Sequence, residues 1–137
     1  MTRSGYIKLD AYLLIGYSGL LTPLFAANAI QLSLQIRGRL GDIGLLYTVL
    51  SMGYVLGALP TGELLDRGLT KAVLLVSLLA FTGLLFFIPQ VSSFWALVIL
   101  VTFFGAFRSA ISVVGNASLA LADKNRAASN LNLLHIV

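Results

Sequence analysis

The apolar residues of this chain are gathered into long runs separated by short polar turns, and that spacing decides which solvent the chain can fold in. An α-helix rises about 1.5 Å per residue and the hydrocarbon core of a bilayer is about 30 Å thick, so a span needs about 20 residues. Four such runs predict spans over about 9–36, 43–62, 72–88 and 94–121, with a fifth hydrophobic helix beginning at about 131. Composition agrees: 58% of the 137 residues are hydrophobic and 10% charged, too little polar surface for a water-soluble monomer. The expected fold is therefore an all-α membrane protein. The first run is too long for a signal peptide and has no small-residue cleavage site after a short apolar core, so it reads as a mature span. Pro23 near its middle predicts a kink there, and Pro60 is expected to weaken the second helix near its end.

The nine Lys and Arg residues are scattered between the runs rather than clustered, which reads as membrane topology and not nucleic-acid binding. With the N-terminus cytoplasmic, that side carries Arg3, Lys8, Arg67, Lys71, Lys124 and Arg126, six residues against Arg37 and Arg39 opposite. A multi-pass protein of the plasma (inner) membrane with its N-terminus inside is the expectation.

Arg108 is the remaining basic residue and lies near the midpoint of 94–121, too deep to snorkel to either interface. Gly105, Ser112, Gly115 and Asn116 share its face at helical spacing, so this face should line water or protein. Two readings stay open: an arginine bonded to carbonyls of a neighbouring helix, or a cavity arginine that binds an anionic or polyhydroxyl solute or partners an acid in proton coupling. The first run offers Asn28, Gln31 and Gln35, and the second Tyr47, Ser51 and Tyr54. Such amides and phenols hydrogen-bond polar solutes, and they equally bond one helix to the next. The third run carries no such face and reads as peripheral, leaving spans one, two and four around a pathway. Gly53 and Gly57 form a GxxxG pair that admits a second backbone at close range, either another span or another copy.

Enzymatic function is not expected. Every acid (Asp10, Asp42, Glu63, Asp66, Asp123) lies near a span end, the one histidine is His135, and there is no cysteine, phosphate loop or metal-ligand spacing. No cofactor and no metal are implied. Transport, if this is the function, draws on a solute or ion gradient.

The stretch Gly62-Glu63-Leu64-Leu65-Asp66-Arg67-Gly68-Leu69-Thr70-Lys71 resembles the major facilitator superfamily loop signature G-x-L-x-D-R-x-G-R-R. Gly62, Leu64, Asp66 and Arg67 match in place and Lys71 stands at a basic position. Gly68 comes one position before the second family glycine, Leu69 occupies that glycine's place and Thr70 replaces a basic residue. Gly115 and Asn116, the charged segment at 123–126, and Leu131-Asn132-Leu133-Leu134-His135 resemble the junction of spans four and five in the fucose-permease-like branch. The resemblance implies a secondary active transporter of about twelve spans working by alternating access, of which 1–137 is a partial N-terminal transmembrane domain. It implies a cytoplasmic gating loop at Gly62, Asp66, Arg67 and Lys71, and a substrate cavity drawing on Asn28, Gln31, Tyr47, Tyr54, Arg108, Ser112 and Asn116. Asn132 and His135 carry the motif at span five. The implied partners are the lipid bilayer, a small polar solute with sugars first, a coupling proton as a further candidate, and the C-terminal spans of the same carrier. A four-span oligomer like the small multidrug exporters is the alternative, although their deep glutamate in the first span has no counterpart here; a non-transporting scaffold subunit is a third reading. On the first reading the chain alone does not transport.

Overall fold

The computed structural model describes residues 3–38 and 40–122, and among them every regular element is helical. The elements are α1 (Arg3–Ala27), α2 (Ala29–Gln35), α3 (Leu40–Asp66), α4 (Thr70–Phe87), a 3-10 turn (Ile88–Gln90) and α5 (Phe94–Ala122). Among the described residues three helices are long and apolar enough to cross a membrane: Gly41–Asp66, Thr70–Gln90 and Phe94–Ala120. The expected fifth helix at 131, with Asn132 and His135, lies outside the described residues, as do Asp123, Lys124, Arg126 and Arg39.

The expected first span is divided. Helical backbone is interrupted at Asn28 (φ −94°, ψ 3°), where the sequence predicted a kink at Pro23, and α1 carries Pro23 in its interior. Asparagine competes for local backbone hydrogen bonds and so favours turns over helix interiors. After α2 the chain closes its helix with Arg37 at φ 52°, Arg37 N–H bonding Leu34 O at 3.2 Å and Gly38 N–H bonding Ser33 O at 2.9 Å. That pair of bonds is the left-handed closure usually built on glycine.

The second span also ends later than expected, at Asp66 instead of 62, because Pro60 does not stop α3. Proline removes one donor and its ring crowds one carbonyl, but the helix around it is held by close packing on α5. The end of α3 is set by Gly68, whose φ of 78° only glycine adopts freely. Gly68 N–H bonds Leu65 O at 2.9 Å and Leu69 N–H bonds Leu64 O at 3.1 Å, so the last carbonyls of α3 are satisfied without water. This explains why glycine stands at 68, one position earlier than in the family signature.

The helix α5 is the hub, packing against α3, α1 and α4. Along α3 the contact is backbone to backbone. A Cβ added at Gly53 would overlap the Thr102 carbonyl oxygen, one at Gly57 that of Ala106, and one at Gly105 that of Leu50. Because Gly53 meets Thr102 and Gly57 meets Ala106, the two helices run parallel. The Gly53/Gly57 surface is thus filled from within the chain, which removes it as a surface for self-association. On α1, Gly115 receives Ile15, with Ile15 Cγ1 2.9 Å from where a Cβ would stand. The α4 helix contributes Phe81, wholly buried, stacked on Phe104 at 4.5 Å and edge-on to Tyr17 at 5.9 Å. The outward faces are as apolar as the core: Leu59 is 73% exposed and Trp95 72%, as expected where lipid is the solvent. Phe86, Phe87 and Trp95, all exposed at the same end of α4 and α5, suit an interfacial aromatic belt.

Candidate functional site

Helices α1, α3 and α5 converge on Arg108. Its Nε donates to Ser18 O of α1 at 3.3 Å, and its Cζ lies 5.4 Å from the centroid of the Tyr54 ring of α3. A guanidinium over an aromatic face at this range is held electrostatically, and more strongly where water is scarce. Arg108 is half-buried, as is Tyr54. The glycine seam places them: Gly105, one turn before Arg108, lets α5 approach Leu50 and comes close to the Tyr54 backbone nitrogen, 3.0 Å from a Cβ placed there. With any larger residue at 105 the ring and the guanidinium would stand further apart.

Ser18 was not singled out from the sequence. Its hydroxyl turns back to Ile15 O at 3.0 Å and it is its carbonyl that meets Arg108. A backbone acceptor is present at every residue and leaves no residue-type signal; only the depth of Arg108, which requires some acceptor, pointed to it.

The remaining candidates are spread along the bundle. Ser112 and Asn116 follow Arg108 at one and two turns on α5, both half-buried. Tyr47 is half-buried against the buried cluster around Leu46 and Leu50, about 10 Å along α3 from Tyr54. Asn28 and Gln31 are exposed, Asn28 lying about 15 Å along the chain axis from Ser18. So the structure brings Arg108 and Tyr54 together and does not bring Asn28 or Gln31 to them. Ser51 bonds its own helix at Tyr47 O, 3.0 Å. Gln35 takes the helix-bonding role: its side-chain amide donates to Ile88 O at 3.3 Å and to Val91 O, clasping the end of α2 to the α4–α5 connection.

The signature residues 62–71 form less of a loop than expected. Gly62 and Asp66 lie in the last turns of α3, Arg67 and Gly68 in the turn, and Lys71 in the first turn of α4. Arg67 forms an ion pair with Glu63 one turn back on α3; both side chains are two-thirds exposed, which makes it a weak contact. Asp66 is exposed.

A concavity of about 620 Å³ lies between α3, α4 and α5 and is lined by Leu56, Pro60, Leu64, Val73, Val76 and Phe103 among others. Two of its few hydroxyls, Thr61 and Thr102, bond carbonyls of their own helices at 2.7 and 2.8 Å. It offers a polar solute little to bind. Among the described residues no cluster of His, Cys, Asp and Glu could hold a metal ion.

Residues 11–128 match the family model described as Major Facilitator Superfamily. Comparison with curated proteins gave no match, and neither did comparison with solved structures.

Proposed function

The chain belongs to the major facilitator superfamily of membrane transporters and is a multi-pass membrane protein, and on that premise we propose that it works as part of a secondary active transporter moving a small polar solute by alternating access, with sugars first among the solutes. The observation that carries this reading is a half-buried charge midway along α5 with the Tyr54 ring on its face; the bond of Arg108 to Ser18 O ties α5 to α1 and is shared with a structural arginine. A charge at that depth costs at least about 2.5–3.5 kcal/mol on insertion scales, about as much as one hydrogen bond to a charged group returns at best. Ser112 and Asn116 extend the polar face towards the end of α5 that, with six basic residues to two, is the cytoplasmic one.

In this reading the membrane is the plasma membrane, the N-terminus is inside, and the turn at Asp66, Arg67 and Lys71 is the cytoplasmic gate. Proton coupling through this region, and a branch assignment close to the fucose permeases, belong to the same proposal. Transporters of this kind bind solute where repeats or halves meet, so residues 1–137 supply one wall. In vesicles, a carrier containing these residues should show saturable uptake that Asp66→Ala abolishes without loss of insertion, and residues 1–137 alone should show none. Saturable uptake by residues 1–137 alone, or wild-type uptake by the Asp66→Ala carrier, would overturn the reading.

A further inference from the structure

We infer that the solute recognised at Arg108 carries a carboxylate, and that a hydroxylated organic acid fits this site where the corresponding neutral sugar does not. The inference rests on the reading of this site as the solute path and departs from it in placing sugar acids ahead of neutral sugars.

The guanidinium presents one face and two hydrogen-bonding edges. Its face is taken by Tyr54, with the ring centroid 5.4 Å from Cζ, and its Nε by Ser18 O at 3.3 Å. The edge formed by the two terminal amino groups is left, and that edge is the planar fork that takes both oxygens of a carboxylate in parallel hydrogen bonds. A neutral carbonyl and a ring leave the full positive charge of the group uncompensated.

Among the described residues no acid is placed to neutralise it. Asp42 and Asp66 are each twelve residues from Tyr54 along α3, about 18 Å at 1.5 Å per residue. Asp10 is eight residues from Ser18, about 12 Å along α1, and lines a groove facing Leu74 and Leu78 of α4. Glu63 is nine residues from Tyr54, about 14 Å along α3, and Asp123 comes fifteen positions after Arg108 in the sequence. For the described acids such distances do not bring a counter-charge into contact, and a half-buried guanidinium with no described acid beside it is the arrangement that binding a monoanion relieves. Ser112 and Asn116, half-buried at the next two turns of the same helix face, can then meet hydroxyl groups of the same solute.

The test uses a matched pair, D-galacturonate and D-galactose, which differ in a carboxylate against a hydroxymethyl group. With a carrier containing these residues in nanodiscs of neutral phosphatidylcholine, at ionic strength fixed by chloride, equilibrium binding and the 15N resonance of the Arg108 Nε are followed through each titration. Galacturonate should bind saturably, at least tenfold more tightly than galactose, and move the Nε resonance. Arg108→Gln should reduce it to the galactose level, while Arg108→Lys, which keeps the charge without the fork, should fall between. Equal binding of the two sugars, galacturonate binding that survives Arg108→Gln, or saturable binding with no movement of the Nε resonance would each overturn the inference. The wild-type resonance carries the test even if the glutamine variant fails to fold. Galactose uptake by the carrier without galacturonate binding here would end this inference and leave the transport reading standing; galacturonate binding at Arg108 with no uptake of any solute would do the reverse.

Discussion

Replacing Gly105 by alanine adds one methyl group where the Leu50 carbonyl oxygen stands, with the Tyr54 nitrogen 3.0 Å away. Both atoms are backbone, so no side chain can swing aside and α3 and α5 must separate by about 1 Å to restore ordinary contact. A gap of that size forfeits a quarter to a half of each pairwise dispersion well of about 0.1–0.2 kcal/mol, and a seam of about 60 such pairs then loses about 1.5–6 kcal/mol. Alanine gains about 1 kcal/mol over glycine in a helix interior, which leaves a net loss of about 0.5–5 kcal/mol. Gly83→Ala is the internal control: nothing lies within 4 Å of its added Cβ, so only the propensity gain applies. Unfolding of both variants in mixed detergent micelles, referenced to wild type, gives the two free energies. Gly105→Ala within 0.5 kcal/mol of wild type, or a loss in Gly83→Ala as large as that in Gly105→Ala, would show that the close approach of α3 and α5 is not what holds the bundle.

Gly68→Ala should destabilise by about 1–2 kcal/mol in the same unfolding assay because of its φ of 78°, while Gly62→Ala, with open space around it, should be neutral or slightly stabilising. Arg37→Gly should stabilise by up to about 1 kcal/mol, since it relieves a non-glycine residue of a left-handed φ of 52°; a loss would mean that the Arg37 side chain makes a contact worth more than the strain. Gln35→Leu leaves the carbonyls of Ile88 and Val91 without its amide, and hydrogen exchange should quicken by about tenfold in 29–36 and 88–93 for a loss near 1.4 kcal/mol, with the α3–α5 seam unchanged.

How much of this was legible depends on what kind of group carries each contact. The apolar runs place α3, α4 and α5 to within four residues, since run length is a direct measure of span, whereas the first run, expected over 9–36, is two helices, Arg3–Ala27 and Ala29–Gln35. The end of α3 was placed too early because Pro60 and the charged residues after it read as a stop, whereas a proline inside a packed membrane helix costs little and the true terminator is the left-handed Gly68. The Gly53/Gly57 pair announced a close approach but not its partner, because a smooth surface says nothing about which backbone fills it. Arg108 and Tyr54 were both visible as residues. Their meeting depends on Gly105 and on the parallel register of α3 and α5, and Ser18 enters through its carbonyl, for which sequence has no letter. Asn28, Gln31 and Gln35 repeat at helical spacing on paper, but the interruption at Asn28 breaks the continuity of that face, and Gln35 is spent on the α4–α5 connection.

The central position of α5 bears on how the chain assembles during synthesis. Before α5 is made, α1, α3 and α4 have few contacts with one another beyond Tyr17 on Phe81 and the tight turn joining α3 to α4. The 35 residues from Ile88 to Ala122 take about 2–7 s to translate, and for that interval the earlier helices sit in the membrane as loosely associated segments with bare glycine surfaces. When α5 arrives, Tyr54 and the Ser18 carbonyl are already embedded, so its arginine enters the bilayer onto partners that precede it. Synthesised in the opposite order, the same helices would have to admit the charge first.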